Sequence, residues 1–477
     1  MGREIKGGRF GQRDFDRFAR RLDEETERLR ELFRTGGLSR RGPMGGYELE
    51  AWLVDGEQAP APINEAFLAR VGLEAASPEL ARFNFELGAD PRPLTGDALG
   101  RMEAELAAHW ARCREVAAAL DTAPVMIGIL PTVTDAMLGV ANMSGQERYR
   151  ALNEQVMRLR RGRPLVLDIQ GAEFLHTEHR DVMLEAATTS FQLHLQLDPE
   201  RAARYYNAAL VLAGPLVGAT ANAPFLFGKR LWRETRIPLF EQAVAAGGFG
   251  GAAFGPVKRV SFGSGYVRRS LLELFEENRA HFPVMLPVDL EEPAAHLAHL
   301  RLHNGTIWRW VRPLLGFDPD GAPHLRLEHR VVAAGPSVPD TVANAALFYG
   351  LIRHLAERPA PPEDILEFAT ARENFYSAAK HGLRANLTWL DGKRRPLGEL
   401  LREHLLPRAR EGLEELGCTG ADIDRYLGIL SERVRRRRTG AAWQIAYTEA
   451  HGRDFPALVA AYRTHQDSGA PVHEWPV

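Results

Sequence analysis

Cysteine is nearly absent from this chain: its 477 residues include two, Cys113 and Cys418. They lie far apart with no C-x-x-C and no ligand spacing, which argues against a disulfide scaffold or a zinc site and fits a reducing cytosol. Both are expected as buried helical residues. An excess of either charge is also missing. A formal net charge of -2 gives no basic footprint for nucleic acid or an anionic membrane, so small molecules are the expected partners. The opening residues, MGREIKGGRFGQRDF, contain no apolar signal-peptide core, and a cytoplasmic location is expected. The usual nucleotide loops are lacking as well. Pro256 stands where GGAAFGPVK would need the lysine of G-x-x-x-x-G-K-[ST], and there is no G-x-G-x-x-G. Long apolar runs are limited to Tyr205–Gly228, which carries no charge and could span a bilayer by length. Pro215, Thr220, Asn222 and Pro224 break it, so a buried helix followed by a polar loop is expected there.

What is present is ordinary in amount, with 45% apolar and 26% charged residues, but unusual in arrangement. The segment MGGYELEAWLVD alternates as a strand, with Glu48 and Glu50 on one face and Leu49, Ala51 and Leu53 on the other. Taken alone, such a pair reads first as the polar face of an edge strand. ARFNFELGADPRPL is a second strand candidate, carrying Glu86 and ending in turn residues. The clearest alternation is ATTSFQLHLQLD, residues 187–198. It sets Phe191, Leu193, Leu195 and Leu197 against Ser190, Gln192, His194 and Gln196. HLRLEHRVV puts Leu325 and Leu327 on one face, and Arg326, Glu328 and Arg330 on the other.

Helical spacing appears in residues 10–34 and 96–121, and APVMIGILP is expected as a buried strand closed by Pro131. From about 340 onward the chain is expected to be mostly helical. The fold class that follows is α+β with a largely antiparallel sheet. Its expected parts are an N-terminal helix and loop (1–43), a sheet domain (44–345) and a mainly helical part packed on the same domain (346–477).

If the strands are neighbours, Glu48, Glu50, Glu86, Glu328 and His194 line one cavity. Clustered carboxylates repel and raise each other's pKa unless a cation neutralises them. Mostly oxygen ligands with one nitrogen suit Mg2+, or Mn2+, better than zinc, and such sites usually serve nucleotide phosphates. Separately, His194 would be a structural histidine and Glu328 with Arg330 a surface pair; their joint occurrence on strands favours a site.

The order GYELE (46–50), FNFEL (83–87), GILPT (128–132), RY (148–149), SFQLHLQ (190–196), ANAPFLFGKRLWRETRIPLFEQ (221–242), RLEHR (326–330) and TGAAWQ (439–444) resembles the glutamate-cysteine ligase type 2 and carboxylate-amine ligase family of the glutamine synthetase superfamily. The likeness covers roughly residues 44–445, and its specificity lies in the order of many short motifs. It implies a glutamine synthetase-like antiparallel sheet forming an open funnel with helices outside, taking ATP as substrate together with Mg2+. It also implies that glutamate's γ-carboxylate attacks the γ-phosphorus of ATP, and that an amine, cysteine leading, displaces phosphate from the γ-glutamyl phosphate.

By position, the resemblance assigns Glu48, Glu50, Glu86, His194 and Glu328 to metal and phosphate, and Arg330 to the transferred phosphate. Asn222, Arg230 and Arg236 become a candidate clamp for the amino-acid carboxylate, with Arg236 first. Arg148 and Tyr149 fall in a second segment near substrate, and Gln192 joins the substrate contacts. Ala223 and Tyr47 depart from the common Ser and aliphatic residue. Such a mechanism needs no nucleophilic side chain, consistent with the lack of a Ser-His-Asp or Cys-His signature. The glycine-rich loop 247–255 is either a lid or a connector. Arg435–Arg438 either reach phosphate or form a solvated helix face. A guanidino-kinase-like phosphotransferase and a non-catalytic nucleotide-binding paralogue are the competing readings; retention of all five metal-type ligands favours the ligase.

Overall fold

The computed structural model describes residues 10–246 and 258–477, so the candidate lid at 247–255 lies outside the described residues. An eight-stranded sheet organises the molecule. Along its main path the order is Val311–Phe317, Pro323–His329, Phe191–Leu197, Met44–Val54, Asn84–Gly88 and Ala76–Pro78, with two short strands, Arg92–Pro93 and Ala123–Val125, also paired to Met44–Val54. Every ladder is antiparallel, and the sheet curls into a half-barrel with helices around it.

Register aligns the polar faces. Glu50 lies opposite Glu86, Glu48 opposite Gln192, and Glu328 opposite both His194 and Arg312. Because side chains alternate with a period of two, these partners fall on one face, and that face is the inner wall of the half-barrel.

The other face meets two helices, Ala202–Ala219 and Val338–Glu357. They pack on each other and are buried along nearly their whole length, which accounts for their almost uncharged sequences. The uncharged run beginning at Tyr205 is thus a core helix, with Pro215 inside it. No helix among the described residues is long and apolar enough to cross a membrane. Tyr349, on the second helix, donates its hydroxyl to the Gly46 carbonyl at 2.9 Å, with the His194 carbonyl 3.1 Å away. That contact ties the helix to the back of the sheet directly behind His194.

Several expectations change. The position 345/346 falls inside the helix Val338–Glu357, which meets the sheet through Tyr349 and the later helix Gly420–Arg435 through Asp340 and Asn344, both bonded by Arg433. The strand expected over 123–131 stops at Val125. Beyond it, Gln466 bonds both the N–H and the carbonyl of Met126, at 3.1 and 2.8 Å, and Tyr462 bonds the same carbonyl. Side chains replace a strand neighbour there. Cys113 is buried in a helix as expected, whereas Cys418 is half-buried in a turn bridged to Gly96. A hairpin, Leu165–Gln170 with Phe174–His179, escaped the sequence reading; Leu165, Leu167 and Ile169 face the core while Val166, Asp168 and Gln170 face out.

The N-terminal helix Gln12–Thr35 buries Phe18, Leu22, Leu29 and Leu32, and also Glu25. The Glu25 carboxylate binds His299 Nδ1 at 2.7 Å and accepts from the Leu300 N–H at 2.9 Å. This anchors the helix to Ala298–Gly305, which forms part of the cavity wall described next.

Candidate active site

A cavity of about 480 Å³ opens over the inner face of the sheet. Its middle is acidic. Glu48, Glu50 and Glu86 from the sheet and Glu79 from the turn after Ala76–Pro78 reach it, and Glu328 closes the row. One end is apolar, with Leu286, Leu290, Leu302 and Leu314 beside Arg301 and Arg326; the other holds Arg148, Tyr149, Glu185, Phe240 and Val244.

The acids sort into two groups. Oxygens of Glu48 and Glu328 and a ring nitrogen of His194 lie within 4.8 Å of one another, and so do oxygens of Glu50, Glu79 and Glu86. His194 Nε2 is 3.9 Å from Glu48 and 3.7 Å from Glu328, buried and, among the described residues, without a hydrogen-bond partner. Burial lowers the imidazole's pKa to about 4, so the ring is neutral with a lone pair available, the state that ligates metal. In the second group, burial together with the charges of Glu48 and Glu79 raises Glu86 well above the ordinary carboxyl value. Burial and Glu50 push Glu79 up to about 7. Three crowded carboxylates held this way fit a divalent, oxygen-preferring cation such as Mg2+ or Mn2+.

Hydrogen bonds join the groups. Glu50 accepts from Ser190 N–H at 2.7 Å, Ser190 Oγ at 3.0 Å and Gln192 Nε2 at 2.6 Å. The Gln192 carbonyl oxygen accepts from Arg330, which also binds Glu328 at 3.1 Å. Glu328 is gripped again by Arg312, through Nε and through Nη2 at 3.0 Å. Against the cost of burial, Arg312 and Arg330 hold its carboxyl far below the ordinary range. Arg330 lies over the Phe240 ring, 5.9 Å from its centroid. A charged guanidinium is thereby fixed at the cavity wall between the two groups.

Of the sequence candidates, Glu48, Glu50, Glu86, Gln192, His194, Glu328 and Arg330 come together here, and Arg148 with Tyr149 stands at one end, its guanidinium 2.6 Å from the Tyr149 hydroxyl. The three-residue clamp does not form. Arg236 is 2% exposed, held by Glu234 at 2.8 Å and the Val331 carbonyl at 2.7 Å. Asn222 is fully buried and donates to the Ala334 carbonyl, with the Tyr462 hydroxyl 2.8 Å away. Arg230 pairs with Glu449 at the surface. These residues hold the chain beneath and beside the site, and none lines the cavity. Arg435 and Arg436 pair with Glu432, the solvated-face alternative. Sequence reasoning missed Glu79, Glu185 and Arg312. Arg312 could have been found from the alternation of VRPLLGF; Glu79 sits in an irregular connection and Glu185 in the short 3-10 helix Met183–Ala187, where no periodicity marks a face.

No curated protein sequence matches this chain significantly. Among solved structures, a glutamate–cysteine ligase from Francisella tularensis in complex with AMP has a TM-score of 0.54 at 12% identity, covering 92% of this chain and 91% of that one. A bifunctional glutathione synthetase from Pasteurella multocida has a TM-score of 0.52 at 12% identity, covering 93% of this chain and 55% of that one. At such identity the likeness speaks to the fold. The sequence model of glutamate-cysteine ligase family 2 matches residues 44–461, most of the chain and every acid of the site, and the protein therefore belongs to that family of carboxylate–amine ligases.

Proposed function

We propose that this enzyme uses ATP and Mg2+ to join the γ-carboxylate of glutamate to an amine, with cysteine the first candidate. The observation that carries the reading is the pair of metal-type groups flanking Arg330 in one cavity. Glu48, His194 and Glu328 would hold one ion and Glu50, Glu79 and Glu86 another, and the bound ions would neutralise phosphate oxygens as charge moves onto the leaving group. The chain's own residues do the positioning. The leucine-lined end suits a purine, in keeping with the AMP bound by the Francisella enzyme. Arg330, fixed by Gln192 and Glu328, points its charge at the transferred phosphoryl group. Arg148, backed by Tyr149, takes the carboxylate of the acid substrate in place of Arg236.

A γ-carboxylate oxygen bonds to the γ-phosphorus as ADP leaves; the amine nitrogen then bonds to the acyl carbon as phosphate leaves, and the ammonium protons pass to phosphate and water. A γ-glutamylcysteine product would feed the ATP-driven ligation that makes glutathione. The two unpaired thiols agree with a cytosolic setting. The test is phosphate release from Mg-ATP with glutamate fixed and amines varied, with product masses measured. A γ-glutamylcysteine mass that appears only with cysteine supports the full reading. Phosphate release without any amide would remove cysteine as acceptor, and no release under any condition would overturn the ligase reading.

A further inference from the structure

Seven carboxylates line the cavity, and six of them have an evident task. Five belong to the two metal-type groups, and Glu292 lies 3.3 Å from His296. Glu185 is the seventh. It sits on the 3-10 helical turn Met183–Ala187, half-buried, and among the described residues its carboxylate has no hydrogen-bond or ion-pair partner. A carboxylate held in a cavity without a partner is costly, and a cationic ligand group removes that cost.

Its surroundings say which cation. The turn packs on the helix Arg236–Ala243, which carries the Phe240 ring beneath Arg330. Glu185 is also close enough to Glu50 and Arg330 for both charges to act on it, Glu50 raising and Arg330 lowering its pKa behind the larger effect of burial. It therefore flanks the place where the acyl phosphate forms under the reading above, on which this inference rests. Two ammonium groups could come near. The α-ammonium of glutamate is separated from the reacting carbon by three further carbons, whereas the nitrogen of the acceptor must reach bonding distance of that carbon.

We propose that Glu185 receives the ammonium group of the acceptor, so that the acceptor enters as a primary-amine cation with its carbon body against Phe240 and Val244. The contact positions the nitrogen before attack and favours cationic amines over neutral nucleophiles of the same size.

The test compares wild type, Glu185→Gln and Glu185→Asp with glutamate and Mg-ATP. The acceptors are cysteine, 2-aminobutyrate and ethylamine on one side and hydroxylamine, uncharged at neutral pH, on the other. The expected result is that Glu185→Gln loses about tenfold more kcat/KM with the amines than with hydroxylamine, mainly in the amine's KM, and that Glu185→Asp recovers part of it. Equal losses with both kinds of nucleophile would overturn the assignment. So would a loss carried by the KM for glutamate, which would give Glu185 to the acid substrate, or by the Mg2+ requirement, which would make it a metal ligand. Wild type that forms hydroxamate but no amide from any amine also overturns it while sparing the ligase reading. Absence of hydroxamate with wild type would sink both.

Discussion

Glu234 is fully buried, and its charge is balanced by Arg236 at 2.8 Å and by the Asn222 N–H at 2.9 Å. Truncating Arg236 would strand that carboxylate. Arg236→Ala is expected to lower stability by about 3–5 kcal/mol, seen as a large fall in melting temperature or loss of soluble protein. A variant that melts like wild type and shows only a raised KM for glutamate would restore the clamp role. Glu86 is the opposite case, because its charge is the destabilising element. Glu86→Gln should cut turnover about a hundredfold or more, yet leave the metal-free protein melting at the same temperature or higher. A drop in metal-free melting temperature would show that Glu86 is structurally paired.

The same acids give a pH signature. Glu79 is held up to about 7, above its ordinary carboxyl value, so its contribution to stability is present at low pH and is lost as pH rises through about 7. Metal-free protein should therefore melt lower at pH 8 than at pH 5.5, and Mg2+ should raise the melting temperature more at pH 8, where fewer protons compete for the site. Melts at the two pH values with and without Mg2+ check this; an equal Mg2+ effect at both would remove the metal assignment of the Glu50, Glu79 and Glu86 group. The residues legible in sequence were those on alternating strands, since a period of two fixes a face locally. Depth was not legible: an arginine at the mouth of a cavity and one beneath it, as Arg236 is, look alike in a motif.

Among the elements, the sheet was foreseeable and its supports less so. Strands such as FQLHLQL carry their own pattern, whereas the segment 126–131 resembles a strand but satisfies the backbone of Met126 with Gln466 and Tyr462, more than 300 residues away, and the carbonyls of Ile127 and Gly128 with Thr189. No local rule reports that. The contact between helices Val338–Glu357 and Leu406–Glu415 is of the same kind. A Cβ on Gly412 would overlap the Gly350 carbonyl, and one on Gly350 would overlap the Ala409 carbonyl. Gly412→Ala should thus separate the helices at a cost of about 1–3 kcal/mol. Because the first helix also carries Tyr349, the variant should lose activity together with stability, measured by melting and turnover on the same preparation. Unchanged melting would mean that the helices can part freely.

At the scale of the whole molecule, helices near both ends of the chain reach the surroundings of the site. The first helix grips the cavity wall through Glu25 and His299, and the last long helix, Phe455–Asp467, holds Met126 and Asn222 through Tyr462 and Gln466. Deleting residues 455–477 is expected to abolish folding, not merely to trim a tail. A soluble, active truncation would show that the helical part is an accessory.

Glu48 and Glu50 are neighbours on one strand, yet they serve different groups. Their spacing is twice the rise of a strand residue, about 6.6 Å, and is dictated by bond lengths and backbone pleat. The strand works as a ruler with two marks. Substitutions elsewhere can tilt or loosen a ligand but cannot change the gauge, while a single inserted or deleted residue between the marks would turn one acid to the far side of the sheet. In sequences that share this architecture, the interval between those two positions should therefore tolerate changes of side chain and never of length.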